Sequence, residues 1–360
     1  MLIILIVIIG LSLLILGHEA GHFFVAKLFK LKVDEFGFGF PPRITAWKKG
    51  ETEYSVNWLP FGGFVRISGE RGEFALVPEE KMADGEKKET GIDAVAPADE
   101  HRLFYSQPAW KKSLIMLAGV FLNFIFGWFL ISATLMIGVP NAVVIGSVEA
   151  ASPAAQAGIA SGDVIKGYTD SQSFINFVNA NKGKQIEVGV IRNNKELDFA
   201  VTPRADAPAN EGALGVELEQ AGAPREAFFS SLRDGFLDAG ALLWYTLQAF
   251  GQLIAQLFVH ASLLPGVVGP VGIFGIAEET GKIGLAYLLQ FLGIISINLA
   301  VVNLLPFPAL DGGRFLITII EKIKGSPIPE KVEGWVNGLG FAFIIVLMVL
   351  LTVRDVGNVL

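Results

Sequence analysis

His18 and His22 lie four positions apart, with Glu19 beside the first, in the run Gly17-His18-Glu19-Ala20-Gly21-His22. On a helix the two imidazoles share one face, so they can grip one metal ion while the neighbouring carboxylate activates a water. That is the chemistry of metal-assisted hydrolysis. Its location is unusual, because Leu2 to Leu16 carries no charge and only Ser12 as a polar side chain. Ionisable groups are costly in such a segment and mark a functional site.

The elements that must position these residues read as those of a membrane protein. The 360-residue chain is 52% hydrophobic and 18% charged, with a mean hydropathy of +0.53. Soluble domains carry about 25% charged residues. A net charge of −7 and the lack of a basic stripe argue against a nucleic-acid partner. With no cysteine in the chain, disulfides, thiolate zinc sites and a cysteine nucleophile are excluded. The first apolar stretch lacks the basic start and small-residue cleavage site of a signal peptide, so it reads as a spanning helix.

Four spans are expected, at about 2–29, 114–139, 283–305 and 335–353, each near the roughly 20 residues a bilayer requires. Gly119, Asn123 and Gly127 recur at four-residue steps in the second, a pattern that permits close helix packing. Lysines 27, 30, 32, 111 and 112 flank the first connecting loop, and lysines 322, 324 and 331 the last. The positive-inside rule then places both loops in the cytoplasm and both termini outside. His18 would lie roughly 25 Å along the first helix, toward the cytoplasmic side.

Between the spans, residues 33–69 alternate apolar and polar positions with Gly and Pro punctuation and read as short strands and hairpins. Residues 70–100 are charge-rich and read as a mobile loop. Residues 140–204 form a small soluble island of strands and two short helices, near the lower size limit for an independent core. Residues 205–282 serve as a linker, within which 225–262 reads as an interfacial amphipathic helix, with a fifth span or re-entrant segment as the alternative. His260, at its end, reads as a surface residue rather than a ligand. The expected class is an α-helical polytopic membrane protein of about four transmembrane helices, with a cytoplasmic β-hairpin region and a small α+β domain.

Catalytic zinc takes three protein ligands and leaves a position open for water. Only His101 and His260 remain as further histidines, one in the charged loop and one on the outer side. The third ligand is therefore sought among carboxylates at the depth of His18. Asp311 fits, in Asn303-Leu304-Leu305-Pro306-Phe307-Pro308-Ala309-Leu310-Asp311-Gly312-Gly313-Arg314. There Pro306 and Pro308 break the helix and the two glycines free the backbone beyond. Irregular backbone at membrane depth is tolerated where it is buried or lines a wet cavity.

Taken together, the chain resembles the bacterial site-2 proteases, intramembrane zinc metalloproteases of regulated intramembrane proteolysis. The resemblance rests on His18-Glu19-x-x-His22, on Asn303-x-x-Pro306-x-Pro308-x-Leu310-Asp311-Gly312, and on a PDZ-like island between them. Smaller matches are Gly62-Gly63-Phe64-Val65, Ser152-Pro153-Ala154-Ala155 and Gly269-Pro270-Val271-Gly272-Ile273. One departure is Val120, where the family carries proline after Ala-Gly. The resemblance implies one zinc ion on His18, His22 and Asp311, with Glu19 as general base and acid. In that scheme Asn303 and Asn123 hold the substrate backbone or oxyanion, each reading equally as a polar helix-packing residue, and the hairpin carrying Gly62, Gly63 and Phe64 clamps an extended substrate strand, with a plain membrane-surface sheet as the alternative. Implied partners are the lipid bilayer and single-span membrane proteins such as anti-sigma factors or signal-peptide remnants. The implied location is the bacterial inner membrane, with the PDZ-like island outside as a size filter in preference to a peptide-capture module. A non-catalytic PDZ-bearing scaffold accounts for the island and the spans but leaves both motifs without a purpose. A metal transporter is disfavoured because the polar set converges on one site.

Overall fold

Among the described residues, four helices are long and apolar enough to cross a bilayer: Ile3–Leu28, Ala109–Ile137, Leu285–Leu304 and Lys331–Gly357. They match the four expected spans, and with the helical majority and accompanying sheets they make this a polytopic membrane protein. The structure is a computed structural model and describes residues 2–70, 74–76, 93–95, 97–192, 195–206, 212–260 and 269–359. It divides into two compact units, one of residues 1–131, 236–278 and 290–360, the other of residues 132–235 and 279–289.

In the first unit, α1 (Leu2–Leu28) is a run of Leu, Ile and Val. β-Branched residues, weak helix formers in water, are helical here because lipid offers the backbone no other partner. The helix stops at Lys30, whose φ of 61° lets Leu31 N–H donate back to Ala26 O. Small residues bring the next helix, α2 (Ala109–Ile137), into backbone contact: a Cβ on Gly21 would lie 2.5 Å from Ala118 O. Further along α2 a Cβ on Gly127 would meet Ile297 Cδ1 at 2.5 Å. The glycine stripe therefore does pack helices closely, as its spacing predicts.

The segment expected as short hairpins is instead two long, bent strands, β1 (Val33–Lys49) and β2 (Thr52–Ile67). Glu35–Phe38 is flanked on both sides by β2: residue pairs run in opposite directions with Arg66–Gly63 and advance together with Glu53–Val56. Thr45–Lys49 then closes a hairpin on Thr52–Val56. The bends follow from Pro41-Pro42 and Gly62-Gly63, where ladder bonding fails or φ is positive. Glu35, 3% exposed, ties the layers together through Arg43, Arg66 and Ser55. Pro60 O, at the turn of β2, receives the hydroxyl of Ser12, the one polar side chain of the first apolar run. Six residues separate Ser12 from His18, about 9 Å along the helix. The sheet thus runs alongside α1 past the metal motif, which a sheet lying only on the membrane surface would not do. The charged 70–100 segment lies largely outside the described residues.

The remaining helices of this unit are long. α5 (Phe228–His260) is too polar to count as a span, yet Phe236 packs on Phe124 and Trp128, and Ala239 is buried against Ile131 and Ile297. Its Thr246 hydroxyl donates to Asn298 Oδ1 at 3.0 Å. One face of Phe236–Thr246 thus packs on the neighbouring helices, while Leu237, Trp244 and Tyr245 remain exposed. α6 (Pro270–Ile283) begins under Asp355, whose carboxylate accepts from the N–H groups of Gly269 and Gly272. That cap accounts for the Gly269-Pro270-Val271-Gly272 run. α7 (Leu285–Leu304), α8 (Asp311–Lys324) and α9 (Glu330–Val359) complete the unit.

The second unit holds a five-stranded sheet in the order β8-β7-β6-β5-β9, built from Val139–Val148 (β5), Val164–Ile165 (β6), Ile186–Arg192 (β7), Lys195–Val201 (β8) and Val216–Ala223 (β9). Two short helices, α3 (Pro153–Ala157) and α4 (Ser171–Ala180), cover a core that includes Val143, Ile145, Phe174, Val190 and Leu214. The island expected at 140–204 is thus too short. Its fifth strand, β9, lies in what reads as linker, because Val216-Glu217-Leu218-Glu219-Gln220 becomes a strand only through its distant pairing with β5.

Asp163 is fully buried and accepts from Arg192 Nε at 2.6 Å, Arg192 Nη2 at 2.7 Å and Ala160 N–H at 2.9 Å. Burial raises its carboxyl pKa, but the guanidinium and the Ala160 N–H outweigh burial and hold it below the ordinary value. A carboxyl depressed in the folded state stabilises fully above its unfolded pKa, about 3.9, and loses that contribution as the pH falls through the folded value. Asp163→Asn is therefore expected to lower the island's melting temperature near pH 7, and the difference from the parent to shrink as the pH falls below the unfolded carboxyl's value of about 3.9. Thermal unfolding followed across pH checks this; a constant difference at every pH would contradict it.

Candidate metal centre and active site

α1 carries His18 and His22 one turn apart, and the end of the α7–α8 connection brings Asp311 to them. Asp311 Oδ2 lies 2.9 Å from His18 Nε2 and 3.2 Å from His22 Nε2, and the two Nε2 atoms are 3.2 Å apart. Among the described residues, these three form the one His/Cys/Asp/Glu group with metal-ligand spacing. Both histidines are 7% exposed, inside the helix pair, while Asp311 is half-buried.

Tautomer chemistry decides what this cluster can hold. His22 Nδ1 faces Ile115 O at 2.7 Å, and a carbonyl can only accept, so Nδ1 carries the proton and Nε2 offers a lone pair. His18 Nδ1 faces the Asn123 amide at 3.2 Å, while Asn123 Oδ1 is buried with no partner among the described residues. Exchanging that amide's oxygen and nitrogen, which share one shape, would let Oδ1 accept from Nδ1–H and leave His18 Nε2 free as well. Asp311 Oδ2 is buried and lacks a well-directed hydrogen bond. With the tautomers so set, three electron-pair donors face one another at about 3 Å, an array that a cation between them would satisfy. Zinc bonds of about 2.0–2.1 Å at a tetrahedral angle put donors about 3.3 Å apart, so the donor set fits.

The connection that delivers Asp311 is shaped by its prolines and glycines. α7 ends at Leu304, ahead of Pro306 and Pro308, and Asp311 is the first residue of α8, where the helix N-terminus favours a carboxylate anion. The expectation that Gly312 and Gly313 free the backbone is not what they do. Both are helical, and a Cβ on either would come within 2.2 Å of a backbone oxygen, Leu305 O or Phe307 O. They let α8 press onto the end of α7, which fixes Asp311 in depth.

A cavity of about 280 Å³ opens beside the donors, lined among others by Glu19, His22, Phe64, Val65, Asp311 and Arg314. Its floor is a core in which Ala26, Leu31, Val33, Ile67, Phe104 and Ile115 meet. Glu19 is beside Gly63, where a Cβ would lie 3.6 Å from Glu19 Cγ. The Phe64 ring covers Gly37, and Gly62, at φ 97°, sits against the Phe40 ring. Asn303 Nδ2 approaches His18 Nε2 at 3.5 Å. Asn123, expected against the substrate, is 1% exposed and sits behind His18. His101 belongs to the 3₁₀ turn Pro97–Arg102 and contributes no atom to the cluster.

Two further residues shape the site: Gly119, legible in the sequence only as part of a packing stripe, and Asn337, which the sequence does not single out. Gly119 is the point at which α2 passes the histidines: a Cβ there would lie 2.5 Å from His22 Nε2 and 2.6 Å from His18 Cε1. Asn337 donates no obvious motif, yet it lines the cavity and accepts from Ala309 N–H at 3.1 Å. An amide inside an otherwise apolar span was the available sign.

The model of peptidase family M50 matches residues 6–347. The regulator of sigma-W protease RasP of Bacillus subtilis strain 168 is 31% identical over 417 aligned positions, covering 97% of each chain. The zinc metalloproteases RasP of Geobacillus kaustophilus and Bacillus licheniformis are 31% and 30% identical, over 97% and 95% of this chain and 96% of each relative. All are bacterial, and with four spans this chain is a multi-pass membrane protein of their kind. With a family match over nearly its whole length and relatives of 30% identity or more covered end to end, the chain belongs to peptidase family M50, the site-2 protease family, and is a zinc metalloprotease.

Proposed function

We propose that this protein cuts peptide bonds within the apolar segments of single-span membrane proteins. The observation that carries the reading is the depth of the donors: His18 and His22 follow a helix that is free of charge from Leu2 to Gly17, and Asp311 meets them there. A site at that depth suits a substrate segment that itself lies in the bilayer.

His18, His22 and Asp311 hold the metal. Zinc, when bound, polarises the peptide carbonyl and makes water a nucleophile near neutral pH. Glu19 takes the water's proton at its carboxylate and returns it to the leaving amide nitrogen. The Asn303 amide, within 3.5 Å of a donor nitrogen, holds the carbonyl oxygen as charge develops on it. Asn123 acts through His18 by fixing its ring and tautomer. A helical substrate hides its amides, so it must unwind first. The Gly63–Ile67 end of β2, next to Glu19 and the cavity, can pair with the extended strand, with Gly62 setting the bend and Phe64 the wall.

The lysine distribution favours an active site toward the cytoplasm, with both termini and a PDZ-like second unit outside. In that arrangement the second unit excludes substrates with bulky outer domains. The name of one relative, regulator of sigma-W protease RasP, supports membrane-anchored anti-sigma factors as the substrate class, with signal-peptide remnants as the second candidate.

Purified protein in proteoliposomes, given a model single-span substrate, is expected to cleave inside the apolar segment. Stripping zinc with a chelator should stop cleavage and re-addition should restore it. Fragment masses that map every cut to soluble flanks would refute the intramembrane reading while leaving the protease intact.

A further inference from the structure

The third ligand is delivered by irregular backbone, and something must hold that backbone still. Ala309, two residues before Asp311, has φ 73°, a left-handed conformation that a residue with a Cβ rarely adopts. Leu310, which caps α8, contributes no side-chain cap bond. Local chemistry therefore does not set where α8 begins.

α9 supplies the support. Asn337 Oδ1 accepts from Ala309 N–H at 3.1 Å. Three residues on, Gly340 lies under Pro308, where a Cβ would come within 2.6 Å of both Pro308 Cβ and Pro308 O. Three further on, the Phe343 ring is 5.7 Å from the Phe307 ring. Positions 337, 340 and 343 thus take residues 309, 308 and 307 in turn, along one face of α9. Only the first of these contacts is a hydrogen bond, and it falls on the strained residue.

We infer that Asn337 is a positioning residue for the zinc site: it pins Ala309 in the left-handed conformation and so aims Asp311 at His18 and His22. The inference rests on the metal-site reading above. Without the bond, Ala309 is free to relax to negative φ, and the two residues between it and the carboxylate carry that rotation into Asp311. The fourth span, which contributes no ligand, then controls how tightly the ion is held.

The test uses the full-length protein in detergent, with zinc affinity measured by chelator competition and the ligand field read from the visible spectrum of the cobalt(II)-substituted form. Asn337→Leu, similar in size but unable to accept, is expected to weaken zinc binding roughly 10–100-fold and to alter the cobalt spectrum. Asn337→Asp retains an acceptor oxygen and is expected to stay within about threefold of the parent. Should the leucine variant fail to fold, Asn337→Ser, whose side chain is one bond shorter, replaces it in the comparison. Asp311→Ala separates the two levels. If it loses zinc affinity while Asn337→Leu binds zinc as the parent does with an unchanged spectrum, the positioning role is overturned. If Asp311→Ala itself binds zinc normally, the metal-site reading falls and this inference with it.

Discussion

Replacing Glu19 with glutamine is expected to slow peptide cleavage by roughly 10²–10⁴-fold while leaving the bound zinc in place. The amide has the carboxylate's shape but cannot accept a proton from the attacking water. Glu19 is outside the donor group of His18, His22 and Asp311, and its neighbours are Gly63 and the cavity, so the ligand set is unaffected. Single-turnover cleavage of a model single-span substrate, paired with metal content per protein, measures both halves of this expectation. Full activity would remove Glu19 from the proton transfer. Loss of zinc in step with activity would reassign it as a ligand.

The second large effect is expected at a residue that bears no functional group. Gly119→Ala adds a single Cβ, 2.5 Å from His22 Nε2, 2.6 Å from His18 Cε1 and 2.7 Å from His22 Cε1. Those contacts are below any real carbon separation, so either the rings or the helices must move. The helices have little room, because Gly21 already sits against the backbone of Ala118 and Gly119. The imidazoles would turn instead, breaking the Ile115 and Asn123 contacts that set their tautomers. Zinc affinity should fall at least about 100-fold, more than a change outside the ligand set normally costs. Overpacking alone should cost the fold only about 1–3 kcal/mol. Gly127→Ala is the matched control: its Cβ would press on the movable end of Ile297, far from the donors, and should cost stability without costing zinc. Equal zinc affinity in the two variants would show that Gly119 does not shape the site.

These two positions differ in how visible they are without coordinates. Glu19 is named by its neighbours in the chain, because helical spacing fixes where His18 and His22 point. Asp311 is reachable by elimination, given four histidines, no cysteine and a proline-broken segment at the same depth. Gly119 shows only as part of a packing stripe, since a glycine's sequence context does not say which side chain passes over it. Asn123 reads equally as a substrate contact or a packing polar residue, and only its 3.2 Å approach to His18 Nδ1 places it behind the ring. Val120, in place of the family's proline, leaves α2 as one continuous helix from Ala109 to Ile137.

The fold divides in the same way. The spans are legible because lipid demands long, unbroken apolar helices, a constraint local in sequence. The double pairing of Glu35–Phe38 and the recruitment of Val216–Ala223 into the second unit's sheet are contacts across long stretches of chain. A strand's partner is fixed by what else is nearby, not by its own residues.

The sequence by itself therefore pointed to the reaction class and the four membrane helices, which follow from residue type at short spacing or from hydropathy, and it put forward His18, His22, Asp311 and Glu19 as the proposed donors and general base. The tertiary structure alone decided how the donors are aimed. The Ile115 carbonyl, Asn123, the bare face of Gly119, and Asn337 holding Ala309 act from helices distant in the chain, and such contacts exist only once the helices have packed.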